Sequence, residues 1–166
     1  MRENRYDDEI FFQKYSQMAR SRQGLAGAGE WPTLQAVLPD FAGKAVLDLG
    51  CGYGWHARYA AERGAASVTA CDISEKMLAV AREKNAHSAV TYRREAFEDA
   101  DYPAETFDVV LCSLMLHYLA DYGDFVEKVH RWLKPGGILV YTVEHPVFTA
   151  YGSQDWYYGP DGEILH

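Results

Sequence analysis

The sequence is poor in cysteine, short of basic residues and free of long apolar runs, and each shortage excludes something. Its three cysteines, Cys51, Cys71 and Cys112, are an odd number and show no C-x-x-C spacing. Neither a disulfide framework nor a zinc site is therefore expected, and no metal is assigned. Each cysteine falls at the end of an expected strand, where a small, weakly polar side chain packs easily. Lys and Arg number 16 against 24 Asp and Glu, for a net charge of -8 and a pI near 5.2. Such a chain lacks the positive footprint that a nucleic-acid backbone or an anionic membrane demands. No stretch approaches the roughly 20 apolar residues of a membrane span. The polar start "MRENRYDDE" leads into no secretion-signal run. The expectation is a cytoplasmic protein with no nucleic-acid or membrane partner. Repeats and low-complexity tracts are also absent.

What is present suits one globular domain: 166 residues, 48% hydrophobic and 14% aromatic. Apolar runs bounded by turn residues recur at 45–49, 68–71, 89–92, 107–113 and 138–143. Continuous rather than alternating, they read as parallel strands buried on both faces. Helical patterns lie between several of them. One runs from Trp55 to a stop at Gly64, a second is capped by Ser74 and carries Met77, Leu78 and Ala81, and a third runs from Tyr122 to Leu133 with the turn "KPGG" ending it. No helix is expected between Tyr92 and Phe107. Ahead of the strands, "DDEIFFQKYSQMARSR" reads as a helix and "WPTLQAVL" as a short one with Pro32 near its start. These two either cover the sheet or form a lid over its ligand end. The sum is an α/β domain with a parallel sheet.

The first strand leads through "VLDLGCGYGW" into a helix, with Gly50, Gly52 and Gly54 at alternate positions behind Asp48. In open α/β sheets, ligands bind at the carboxyl ends of the strands. A glycine turn there lets ligand atoms touch main chain near the positive end of the next helix. Asp72 follows the second strand, 20 residues after Gly52, where a carboxylate can accept both hydroxyls of a ribose. A nucleotide-like ligand is indicated. The dinucleotide pattern G-x-G-x-x-G fails when counted from Gly50 but matches its looser G-x-G-x-x-A form from Gly52 to Ala57. A nicotinamide cofactor therefore stays open on these residues alone.

Four blocks taken together resemble class I S-adenosylmethionine-dependent methyltransferases of the small-molecule type. "VLDLGCGYG" is similar to their D-x-G-x-G-x-G motif, "VTACDISEKMLAVAR" to their second motif, "FDVVLCSLMLHYLAD" to the strand-4 segment and "RWLKPGGILVYT" to the stretch entering strand 5. The resemblance implies a Rossmann-like fold with parallel sheet order 3-2-1-4-5, the last two strands of the usual seven missing, as in a C-terminally truncated enzyme. It divides a single domain into a helical lid at 1–43, an α/β core at 44–143 and an aromatic-rich tail at 144–166. The implied cofactor is S-adenosylmethionine, left as S-adenosylhomocysteine after transfer to a small-molecule acceptor. In the cofactor site Asp48, Gly50, Cys51 and Gly52 would pass along the methionine part. Asp72 would hold the ribose and Ile73 the adenine, and Glu95, Ala96 and Phe97 would stand at the adenine edge. Ser113 and Leu114 would line the methionine end, and Tyr15 and Arg20 would reach its carboxylate. Where an acceptor must lose a proton, His117, Glu144 and His145 are the candidate bases. An exposed edge of the fifth strand could serve a homodimer. Two other readings remain: a nicotinamide-dependent oxidoreductase, and a cofactor-binding module without chemistry.

Overall fold

A computed structural model describes residues 4–150 and 158–163. Five parallel strands form one sheet in the order β3-β2-β1-β4-β5. They are β1 (Ala45–Leu49), β2 (Ser67–Asp72), β3 (Val90–Arg94), β4 (Phe107–Ser113) and β5 (Leu133–Thr142). The helices are α1 (Glu9–Gln17), α2 (Ala19–Gln23), α3 (Trp31–Val37), α4 (Trp55–Glu62), α5 (Glu75–Lys84), α6 (Tyr122–Trp132) and the single turn α7 (Pro146–Thr149). Between β3 and β4 the chain makes only a three-residue 3-10 turn, Phe97–Asp99.

The period-2 alternation of the strands sorts the core into two layers. Val46, Val68, Ala70, Val109 and Leu111 pack under Ala57, Ala60 and Ala61 of α4 and Leu78 of α5. Leu47, Leu49, Cys71, Val110 and Cys112 face the other way, onto Phe125, Val129 and Trp132 of α6 and onto Phe97 and Tyr102. The alanines of α4 let that helix lie close to the sheet, which fixes the short path from β1 into the helix. The three cysteines are free and buried. Burial pushes the Cys71 thiol up to about 12 and the Cys51 and Cys112 thiols up as well, so none is a ready thiolate.

Two expectations need correction. The N-terminal helix is not continuous. Met18 takes an extended conformation between α1 and α2, and the Ser21 hydroxyl donates to the Tyr15 carbonyl at 2.6 Å across the break. The "KPGG" stretch does not end α6 as a turn before the strand but lies inside β5. Leu133 pairs with Phe107 and Ile138 with Val109, so five steps along β5 span two along β4. Gly136 is left-handed at φ 78°. A side chain on Gly137 would sit 3.2 Å from the Asp108 carbonyl. These glycines make a bulge rather than a turn.

Candidate cofactor-binding site

The loop from β1 to α4 turns through Gly50, Gly52 and Gly54 with φ values of 67°, 52° and 79°, a conformation that side chains other than glycine's disfavour. The three differ in what lies against them. A Cβ on Gly54 would come within 2.3 Å of the Tyr92 hydroxyl oxygen, and one on Gly50 within 2.6 Å of the Met115 side chain. One on Gly52 would meet nothing within 4 Å. The protein itself fills the space at the two outer glycines, and only the middle one opens a cradle.

The loop is braced from below. Asn85, fully buried at the end of α5, donates from its side chain to the Tyr53 carbonyl at 2.7 Å, and the Tyr92 hydroxyl donates to the Asn85 carbonyl at 2.9 Å. Cys51 N–H donates to the Cys71 carbonyl at 2.9 Å, tying the loop to the end of β2.

Asp72 stands at that end. Its Oδ2 accepts from Gly52 N–H and its Oδ1 from Ser74 N–H, both at 2.8 Å. Burial pulls its carboxyl above the usual range and the two N–H groups oppose the shift. An ionised carboxylate offers about four acceptor positions, of which these bonds take two. Beside the open cradle at Gly52, the remainder suits a pair of vicinal hydroxyls. Asp48 is 1% exposed, and its Oδ2 has no hydrogen-bond partner among the described residues. Burial pushes its carboxyl up to about 7, the charge of Asp72 adds to this, and the Ala57 N–H opposes it.

The other candidate residues divide by position. Ile73 follows Asp72 and is half-buried, its carbonyl accepting from Arg94 Nε at 3.3 Å. Glu95 N–H donates to the Asp72 carbonyl at 3.0 Å, while its carboxylate accepts from the Tyr102 hydroxyl. Ala96 is buried beside it. Phe97 packs inward, its ring 5.4 Å from Phe125 and 6.0 Å from Trp132. Ser113 Oγ and Thr142 Oγ1 lie 2.9 Å apart. Leu114 is a non-glycine at φ 54°, held there by its N–H donating to the Thr142 carbonyl at 2.9 Å. Backbone strain of this kind persists only where the surroundings over-determine it. The His117 ring packs 4.4 Å from that of Tyr118 in the 3-10 turn Leu116–Tyr118. Glu144 is half-buried, and His145 is exposed with Nδ1 accepting from Val147 N–H at 3.2 Å.

The N-terminal segment meets the strand ends through side chains. Tyr15 packs edge-on to Tyr53 of the glycine loop at 5.7 Å and to Tyr6 at 5.3 Å. The Tyr6 and Tyr118 hydroxyls lie 3.1 Å apart. Asp7 accepts from the Ser74 hydroxyl at 2.6 Å and from Lys76 N–H at 3.2 Å, at the first turn of α5, and Lys76 pairs with Glu9. Arg20 is bonded to Glu30. Met115, Asn85, Tyr92, Asp7 and Glu30 were not picked out from the sequence. None carries a local pattern, because each acts on a distant partner.

Residues 47–141 match the model of a family described as "Methyltransferase domain". An uncharacterized protein from Haemophilus influenzae is 35% identical over 153 residues, 88% of this chain and 60% of that protein. The ubiquinone biosynthesis O-methyltransferase of Pseudomonas paraeruginosa is 46% identical over 99 residues, 58% of this chain and 42% of the enzyme. The crystal structure of a candidate S-adenosylmethionine-dependent methyltransferase from Listeria monocytogenes superposes with a TM-score of 0.73 at 50% identity, over 83% of this chain and 65% of that one. The chain thus spans less than two thirds of each of these relatives.

Proposed function

Because the chain belongs to the methyltransferase-domain family of S-adenosylmethionine-dependent, Rossmann-like proteins, we propose that it binds S-adenosylmethionine at the β1–α4 loop and transfers its methyl group to a small molecule. The observation that carries this reading is Asp72 joined to Gly52: an acceptor at the end of β2, bonded to the one glycine of the loop whose side-chain space is open. In this arrangement Asp72 accepts the ribose hydroxyls and Ile73 lies along the adenine, with Glu95, Ala96 and Phe97 forming the wall behind it. The backbone of Gly50, Cys51 and Gly52 follows the amino-acid part above Asp48. Ser113 and Leu114 line the same end, and Tyr15 and Arg20 approach from the N-terminal segment, which serves as a lid.

The cofactor when bound supplies a methyl group already activated on a sulfonium, so the protein's share of the work is orientation and exclusion of water. His117, Glu144 and His145 are the residues of this chain to take a proton from the acceptor. The pseudomonad relative is named as an O-methyltransferase, which favours a hydroxyl acceptor, and the net charge of -8 favours a small molecule over nucleic acid. No described helix is long and apolar enough to cross a membrane, and a cytoplasmic location belongs to the same proposal. Among the described residues β5 pairs only with β4 and exposes Ile138 and Tyr141. A second copy would dock on that edge.

The test is calorimetric titration of the 166-residue chain with S-adenosylhomocysteine, beside Asp72→Ala and an NADH titration. Saturable binding that falls at least about tenfold in Asp72→Ala, from the loss of two charge-assisted hydrogen bonds, is expected. Binding of NADH alone would replace this reading with the oxidoreductase.

A further inference from the structure

Arg20 is gripped in a way that leaves most of its donors unused. Both oxygens of Glu30 accept from one nitrogen, Nη2, at 2.9 and 2.8 Å. A guanidinium presents five N–H donors in a rigid planar fork. The remaining ones make no hydrogen bond to another described residue.

The chain builds a dedicated turn to achieve this. Gly24 is left-handed at φ 63° and lies against the Trp55 indole, where a Cβ would approach to 3.0 Å. Gly27 lies on the Ala19 carbonyl, where a Cβ would come within 2.3 Å. Only a chain without side chains at both places folds back on α2 closely enough to bring Glu30 against Arg20, ten residues earlier. The opposite flank is fixed as well, by the bond from the Ser21 hydroxyl to the Tyr15 carbonyl. Tyr15 packs on Tyr53 of the glycine loop, and the Arg20 charge lies close enough to oppose the upward push of burial on the Tyr15 hydroxyl. The unused donors of Arg20 are thereby held in a fixed setting beside the glycine loop. A free arginine would lose rotamer freedom on engaging a ligand; this one has already lost it.

We propose that Glu30, mounted on the 24–30 turn, is a positioning residue that orients Arg20 to receive the carboxylate of an amino-acid-bearing nucleoside. The inference rests on the cofactor reading above. Its consequence is selectivity: Glu30 matters for ligands that carry the amino-acid carboxylate and not for the bare nucleoside thioether.

The experiment titrates the 166-residue chain and its variants with S-adenosylhomocysteine and with 5′-methylthioadenosine, which lacks the amino acid, and records a thermal melt of each variant. Glu30→Ala is expected to weaken S-adenosylhomocysteine about 3- to 10-fold, the range for freeing one rotamer-rich side chain, and to leave 5′-methylthioadenosine within about twofold. Glu30→Gln keeps an acceptor oxygen for Arg20 and should recover most of the loss. In an Arg20→Ala background Glu30→Ala should change nothing further. Tighter S-adenosylhomocysteine binding in Glu30→Ala would mean that Glu30 competes with the ligand, and equal weakening of both ligands would mean a structural role; either overturns the inference. Unchanged S-adenosylhomocysteine affinity does so as well, while leaving the cofactor reading intact. A wild-type chain that binds neither ligand refutes that reading, and this inference with it. If Glu30→Ala melts before titration, Glu30→Leu, which removes the acceptor oxygens while filling more of the side-chain volume, takes its place with the same expected and overturning outcomes.

Discussion

The glycine loop and the N-terminal segment meet at the same end of the sheet, yet they are held by different forces. The loop is flanked by strands and helices whose apolar faces are buried on both sides of the sheet, and its own position is set by backbone contacts and by the closeness of Tyr92 and Met115. The N-terminal segment from Tyr6 to α3 contributes little to those layers. It is attached by single side chains: Asp7 on α5, Tyr6 against Tyr118, Tyr15 on Tyr53, Trp31 on His56. Burial of apolar area is non-directional and cooperative, whereas hydrogen bonds and ring contacts contribute about 1 kcal/mol each and can be lost one at a time. The first region is thus held as part of the core and the second piecewise, which is the arrangement that the cover proposed above needs if it is to come away while the sheet stays folded.

The largest expected effect separates two glycines of the same loop. Gly54→Ala sets a methyl 2.3 Å from the Tyr92 hydroxyl oxygen, which is itself committed to the Asn85 carbonyl. With the added penalty of a left-handed residue, the loss is about 3 kcal/mol, read as a lower midpoint in urea denaturation. Gly52→Ala carries the backbone penalty alone, about 1 kcal/mol, and should instead abolish S-adenosylhomocysteine binding, since its methyl enters the cradle. Equal destabilisation by the two substitutions would show that the loop is not braced where the geometry places the brace.

A smaller effect tests the attachment of the cover. Asp7→Ala removes the acceptor for Ser74 and Lys76 and is expected to cost about 1 kcal/mol, as loss of a helix cap does. The cost should be local. Amide exchange across α1 and α2 should accelerate while β1 and β4 keep their protection. Equal acceleration in the strands would make cover and sheet one cooperative unit and erase the distinction.

The same contrast decides what could be read from the amino-acid order. β1 and β4 are legible to the residue, because buried parallel strands need unbroken apolar runs and turn residues at each end. The acid at the end of β2, Asp72, and the helix cap Ser74 are legible because their spacing from the glycine loop is local to a β-α-β unit; the Ser74 hydroxyl does accept from Met77 N–H, at 3.2 Å. "KPGG" misleads because proline and glycine serve a bulge as well as a turn, and only the partner strand decides which. The break at Met18 is invisible because the helical pattern runs through it, and what stops the helix is a hydroxyl three residues on. Glu30 and Asp7 leave no signal at all, since their meaning lies in Arg20 and Ser74, brought near by the fold.

The smallest effect on overall stability, and the one that most sharply divides the two regions, is that of acid. Hydrogen bonds from Ser74, Lys76 and Asn4 hold the Asp7 carboxyl below its usual range against the upward push of burial. Its contribution is complete above the unfolded value near 3.8 and is lost as pH falls through the folded one. His56, whose ring lies 5.8 Å from that of Trp31, is pushed down to about 4 by burial, with Glu30 opposing and Arg20 assisting. Its contribution is complete above 6.5 and is lost as pH falls toward 4. Both groups hold the cover. Asp48, under the loop, runs the other way: a carboxyl raised from 3.8 to about 7 keeps its proton in the folded state across that window, so its contribution grows as pH falls from 7 to 4. Between pH 7.5 and 5 the rising slopes of Asp48 and of Asp72, whose carboxyl burial also raises, oppose the falling slope of His56, so the urea midpoint should move less than His56 alone would move it. Over the same range exchange in α1 to α3, corrected for intrinsic rates, should rise relative to β1 and β4. Asp48→Asn removes one rising slope, so with acid the midpoint should fall relative to the wild-type chain, and His56→Gln removes the falling one, so it should climb. Should cover and strands instead lose protection in parallel as pH drops, the titrating groups do not divide along this boundary and the cover is not a separately opening element.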